Sequence, residues 1–170
     1  MRVPSLISLS LAASIAVAVP ATAAVDVAFV APEHYTDGGG KGGFRDVPTK
    51  EAVEREIRNH LSALGQQNLA PDQVLKVEVL DIDLAGRRDV LGAGTNDVRV
   101  YDELNSPRIK LRYVLEDKGQ VILSGDDVLT DPLYLRSLAP GSTGDPLRYE
   151  RPMLTKWFSM RIVGRVRQPG

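Results

Sequence analysis

The chain contains no cysteine. That absence excludes disulfides, cysteine nucleophiles, thiolate metal sites and a lipid anchor carried on a cysteine. Histidine is nearly as scarce, with His34 and His60 alone, and two widely spaced imidazoles fall short of the three or four ligands a zinc centre needs. An excess of either charge is missing too, since 21 Lys and Arg stand against 22 Asp and Glu. Neither nucleic acid nor an anionic membrane surface has its usual electrostatic footprint in such a chain. There is no G-x-S-x-G elbow for a serine nucleophile. The glycine-rich "DGGGKGG" of residues 37–43 places Gly42 after its lysine, where a phosphate-binding loop requires serine or threonine. No cofactor is implied by any motif.

What is present begins with "MRVPSLISLSLAASIAVAVPATAA". Arg2 supplies a positive start, Leu6 to Val19 a short apolar run, Pro20 a break, and Ala21-Thr22-Ala23 small residues for cleavage. The run is interrupted by serines and falls short of the ~20 apolar residues of a membrane span, so a cleaved secretory signal is expected rather than a retained anchor. Residues 1–23 are read as the signal peptide and 24–170 as a single α+β domain, with cleavage after Ala24 almost equally suited. Only Arg2 among the charged residues leaves with the signal, and the remaining length suits one hydrophobic core. The expected location is periplasmic or secreted, with no membrane span after cleavage.

Periodicity sets the elements. Val25, Val27 and Phe29 alternate as in a strand. Val53, Ile57, Leu61 and Leu64 recur at helical spacing over Thr49 to Leu64, and Gly65 is a suitable stop. In "LKVEVLDIDLAG" the alternation inverts at Val79-Leu80. A regular strand would turn Asp81 and Asp83 to the side of Val77 and Val79, at several kcal/mol for each unpaired buried carboxylate. A β-bulge restores the alternation and turns both aspartates to water. Residues 86–94 read as a loop and 97–101 as a short edge strand with Val98 and Val100 apolar. Ile109, Leu111, Tyr113 and Leu115 open a hairpin. A three-residue turn with Gly119 left-handed would pair Leu115 with Val121 and Tyr113 with Leu123. Leu154, Trp157, Phe158 and Ile162 define a last helix starting near Arg151, with Pro152 in its first turn. The order β-α-β-(β)-β-β-α predicts a two-layer α+β sandwich: four to five mainly antiparallel strands with two helices on one face.

The ordered segments "VAFVAPEHYTD", "VEVLDIDLAG", "PRIKLRYVLEDKG", "SGDDVLTDPLYL" and "DPLRYERPMLTKWF" resemble DUF3016, a family of exported bacterial proteins of unknown function. The resemblance runs from Val25 to about Phe158. The glycine run Gly38 to Gly43 and Pro152 depart from the family pattern. The resemblance implies export and carries no reaction, cofactor or catalytic residue.

Candidate chemistry rests on side chains gathered by the strands. Asp81 and Asp83, two strand steps or roughly 7 Å apart, suit a bridging cation or an acid/base pair. "DIDLAGRRDVLG" imitates a calcium loop but has Ala85 and Gly92 where ligands belong. Arg108, Lys110 and Arg112 share one strand face and meet acids across the sheet. Together, Asp81, Asp83, Arg108, Lys110 and Arg112 form the candidate polar surface. Asp126, Asp127 and Asp131 form a second acidic cluster, and His34 with Ser142 is the nearest approach to a nucleophile–base pair. The function class expected is a non-catalytic accessory or binding module of the cell envelope, its partner an envelope protein or a small ligand. The alternative is a small carboxylate-dependent periplasmic hydrolase, which would need a deep pocket lined by acids of raised pKa.

Overall fold

In the computed structural model, which describes residues 23–39, 47–90, 97–136 and 145–166, the inverted alternation resolves as a bulge. Strand β2 (Gln73–Asp83) pairs antiparallel with β5 (Arg108–Asp117), and the register shifts between Val79 and Asp81. Before the shift Glu78 lies opposite Arg112; after it, Asp81 lies opposite Lys110 and Asp83 opposite Arg108. One extra residue therefore keeps Val77, Val79 and Ile82 buried while the charged residues share the other face.

Strand β1 (Ala24–Phe29) runs parallel to β2, reached through helix α1, and β6 (Gln120–Thr130) pairs antiparallel with β5. The main sheet has the order β1-β2-β5-β6. The two helical segments lie over its apolar face, giving the expected α+β sandwich. Two short strands stand apart from it: β3 (Arg87–Val90) and β4 (Asp97–Val100) form a separate antiparallel ribbon. The segment read as a loop from residue 86 thus begins with a strand, and the suspected edge strand has β3 as its partner rather than the main sheet.

Helix α1 (Lys50–Asn68) starts at Thr49, whose hydroxyl accepts from Ala52 N at 3.1 Å. It runs past the expected stop. Gly65 is not a cap but the next buried position of the stripe Val53, Ile57, Leu61, and a Cβ there would collide with Val25 Cγ2 of β1. The helix thus meets the sheet through a missing side chain. Gly65→Ala should gain ~1 kcal/mol of helix propensity yet destabilise on balance, because overpacking against a stiff valine costs about 1–3 kcal/mol. Thermal melts in parent and Val25→Ala backgrounds check this: the substitution should lower the melting temperature in the first and raise it in the second.

The β5–β6 connection also differs from expectation. Lys118 and Gly119 both have positive φ, 50° and 79°, and Asp117 pairs with Gln120, so the turn has two residues. Its twist matches that of the strands. A bulge then shifts the register between Leu115 and Glu116, setting Leu115 opposite Leu123, Tyr113 opposite Gly125 and Leu111 opposite Asp127. Turn and bulge together replace the expected pairs Leu115–Val121 and Tyr113–Leu123, keeping Leu115–Leu123 and Ile109–Leu129 apolar at the expense of turning Asp127 toward the helices.

The last helical segment comprises α2 (Glu150–Trp157), a π-helical stretch Phe158–Val163 and a closing turn, α3 (Gly164–Val166). Pro152 lies in the first turn, as its lack of an amide hydrogen requires. Leu154, Trp157, Phe158 and Ile162 are buried against the sheet with the α1 stripe.

Candidate functional site

The five residues of the candidate polar surface come together on the open face of the main sheet. Across three strands, Glu78, Arg112 and Asp126 form one row, with Arg112 at 3.6 Å from Glu78 and 2.8 Å from Asp126. Beyond it Asp81 lies opposite Lys110 and Asp83 opposite Arg108, and the Arg108 guanidinium stands 3.7 Å from each of the two aspartates. Asp81 and Asp83 are nevertheless not the exposed carboxylates expected. They are half-buried, because the segment after β1 folds back along β2. Thr36 donates to Asp81 through its backbone N at 2.8 Å and its hydroxyl at 3.0 Å, and Asp37 bridges to Asp83 in parallel register. Burial pushes the Asp83 carboxyl up, Arg108 opposes this, and Asp37 and Asp81 add to it. On this open face one guanidinium lies 3.7 Å from both carboxylates, which makes a structural ion cluster. Among the described residues no group of three or more His, Asp or Glu could hold a metal ion.

Behind this cluster lies a centre that no motif marks. Arg99 of β4 is buried, with Nη1 donating to the carbonyls of Ala85 at 2.9 Å and Gly86 at 3.3 Å, and Nη2 to Asp37 at 2.7 Å. Beside it Tyr134 and Tyr149 meet edge to face with centroids 4.7 Å apart, and the Arg148 guanidinium lies over the rings of Tyr101 and Tyr149 at 4.5 and 4.8 Å. Glu150, 2 % exposed, accepts from Ala85 N at 2.8 Å. A lone inward acid at the start of an amphipathic helix was the available signal, and the tyrosines were the other.

Burial raises the Glu150 carboxyl, against the opposing Ala85 hydrogen bond and the Arg99 charge. The folded chain thus holds this proton more tightly than the unfolded chain does. Stability from this group is present below the ordinary glutamate pKa and is lost as pH rises through the raised folded value. Glu150→Gln keeps an acceptor for Ala85 without the charge. It should flatten the fall in melting temperature above the ordinary glutamate range and melt no lower than the parent at neutral pH. Melting temperatures of both proteins across a pH series check this, and parallel profiles would contradict it.

The acidic cluster of the hairpin is split by the sheet. Asp126 faces out to Arg112, and Asp131 accepts from Leu133 N at 3.0 Å in a turn. Asp127 faces the helix, where Trp157 Nε1 donates to it at 3.0 Å and Arg161 grips both its oxygens at 2.9 and 3.0 Å. These three residues close the inner end of a groove of about 400 Å³ between edge strand β6 and the last helix. Leu129, Met153, Trp157 and Met160 give it an apolar lining, with Lys156 and Arg161 also at its walls. Sequence reading placed Trp157 in the core but had no way to see that the helix reaches past the sheet edge.

His34 is exposed, beside Glu33, while Ser142 lies outside the described residues, as does most of the glycine run. His60 sits between the helices with Nε2 2.9 Å from Thr155 Oγ1, and its pKa is lowered by burial and then by Arg151. No nucleophile–base–acid arrangement arises around either histidine among the described residues.

The family model described as protein of unknown function (DUF3016) matches residues 23–160. No curated protein matches the chain. Among solved structures, a DUF330-family protein from Xanthomonas campestris is 12 % identical, with 88 % of each chain covered and a TM-score of 0.37. A minor lipoprotein from Acinetobacter baumannii is 13 % identical, covering 85 % of this chain and 94 % of that one, with a TM-score of 0.28. Both likenesses are too distant to carry an argument.

Proposed function

The chain belongs to the DUF3016 family of proteins of unknown function, and from that premise we propose that it is an exported, non-catalytic binding module of the cell envelope. Residues 1–23 act as the signal and 24–170 as the working domain. The signal pattern supports this division, as does the start of the family match at residue 23. Fractionation with N-terminal sequencing should find a periplasmic chain beginning at Ala24 or Val25; a cytoplasmic chain retaining Arg2 would end the reading.

The observation that carries the binding role is the groove beside β6. An apolar floor next to a strand edge that is unpaired among the described residues is built to receive an extended polypeptide segment, whose backbone would continue the sheet while alternate side chains fill the groove. A photo-reactive residue replacing Met160, which is 68 % exposed, should form adducts in the exporting cell. The same residue replacing Leu104, exposed and outside the groove, should not. The hydrolase reading draws on the raised Asp83 carboxyl. It is weaker because Arg108 faces both aspartates on an open surface. Turnover of ester, phosphoester or glycoside substrates that disappears in Asp83→Asn would reverse this preference.

A further inference from the structure

We propose that the segment received by the groove is β6 of a second copy of this chain, the two strands pairing antiparallel about Gly125 in a two-fold dimer; this rests on the groove being the binding surface. Edge strands are ordinarily blunted by lysine, proline, a bulge or an inward-pointing charge. β6 reads "QVILSGDDVLT", eleven residues without a basic residue or proline. Its bulge lies toward the Val121 end, and its two charges are paired within the chain, Asp126 with Arg112 and Asp127 with Arg161, so the half at residues 123–130 carries no unpaired charge toward an incoming strand. Exposed apolar surface gathers here as well. Val121, Ile122 and Val128 are 60, 50 and 59 % exposed, and Met160, at the groove, is 68 % exposed.

The two halves of the strand are complementary to each other. The last helix flanks the half at residues 127–130, where the groove lies, and the other half carries the apolar run Val121-Ile122-Leu123. Antiparallel pairing about Gly125 brings each half against the opposite half of the second copy, as an isologous contact requires. Ile122 then meets the second copy's Val128 on the open face, twice by symmetry, and Ser124 meets the second copy's Asp126. On the helix side the second copy's Leu123, half-buried in its own fold, comes against the groove. Gly125 lies at the axis, a position where its own fold already demands glycine, because a Cβ would lie 2.9 Å from Tyr113 Oη.

Sedimentation of the exported chain from micromolar to millimolar concentration should show a dimer. Val128→Lys, which places a charge on an exposed edge position, should abolish the dimer and match the melting temperature of the parent diluted until it dissociates. Because the chain lacks cysteine, register can be read from single-cysteine variants. Ile122→Cys mixed with Val128→Cys should form a disulfide-linked pair under mild oxidation. Either variant alone should not, since like positions would lie about 20 Å apart at ~3.3 Å per residue. A dimer indifferent to Val128→Lys, or cross-linked by one variant alone, overturns this pairing. A monomer whose Met160 adducts contain another protein overturns it too, while leaving the groove as a binding surface. A monomer with no Met160 adduct overturns both.

Discussion

Arg99→Met should lower the stability of the fold by about 3–5 kcal/mol, as expected when one partner of a buried ion pair is removed. A whole domain has only ~5–15 kcal/mol, so the variant should melt far earlier or fail to fold. Methionine reproduces the apolar stem of the arginine, so the loss centres on the guanidinium. What disappears is the guanidinium fork. Its Nη1 holds two successive carbonyls where β2 gives way to β3, and its Nη2 holds Asp37, itself tied to β2 through Asp37 N to Ile82 O at 2.8 Å and Leu84 N to Asp37 O at 3.2 Å. Arg88, at 3.9 Å from Asp37, keeps only a looser and more exposed ion pair with it. Arg99→Lys retains the charge but offers a point donor in place of a planar fork, and should recover only part of the loss. Asp37→Asn in the Arg99→Met background should recover part as well, because it removes the stranded carboxylate. Chemical denaturation of the parent, Arg99→Met, Asp37→Asn and the doubly substituted protein forms a double-mutant cycle. An Arg99→Met protein as stable as its parent would mean that water satisfies those groups and that the centre is peripheral.

Arg99 also marks where the sequence stops being legible. The main sheet could be read because burial on one face imposes a period of two, and even its fault at Val79-Leu80 announced the bulge. Charge alternation likewise revealed that Arg108, Lys110 and Arg112 would meet acids, and Glu78, Asp81, Asp83 and Asp126 are the acids they meet. Around β4 the same rule misleads. "DVRVY" suggests that the valines face inward and the arginine outward, yet a ribbon lying off the main sheet has its own inside, set by which carbonyls it covers. Arginine enters that inside because Ala85, Gly86 and Asp37 present acceptors there, and these are neighbours only in three dimensions. The hairpin turn failed for a related reason. Counting residues favours a continuous apolar face, whereas the backbone prefers the two-residue turn and corrects the register with a bulge. The price is Asp127 on the helix side, made tolerable by Trp157 and Arg161, two residues from a helix thirty positions later whose reach over β6 leaves no periodic trace. The groove, which is the basis of the proposed function, arises from that reach.

Trp157→Ala should cost about 3–5 kcal/mol, the usual range for truncating a buried large aromatic. The indole is 8 % exposed, meets Tyr113 edge to face with centroids 5.5 Å apart, and touches Phe158 at 6.2 Å. Its removal opens the core where the last helix crosses β5 and β6, and leaves Asp127 with Arg161 as its remaining hydrogen-bond donor of the two. Trp157→Phe separates these contributions. It restores most of the ring and loses the Nε1 hydrogen bond, a change of about 1 kcal/mol for a typical bond and somewhat more to a charged acceptor. Pro152→Ala, at an exposed first-turn position of the same helix, should shift the melting temperature far less, since proline there satisfies no hydrogen bond that alanine would lose. Native fluorescence of the parent should be blue-shifted and should move red on unfolding. Melting curves of the three variants, followed by circular dichroism, decide the matter. If Trp157→Ala melts with the parent, the indole is a surface group. The groove wall would then be soft enough for Trp157 itself, rather than Met160, to be the residue that an incoming strand contacts first.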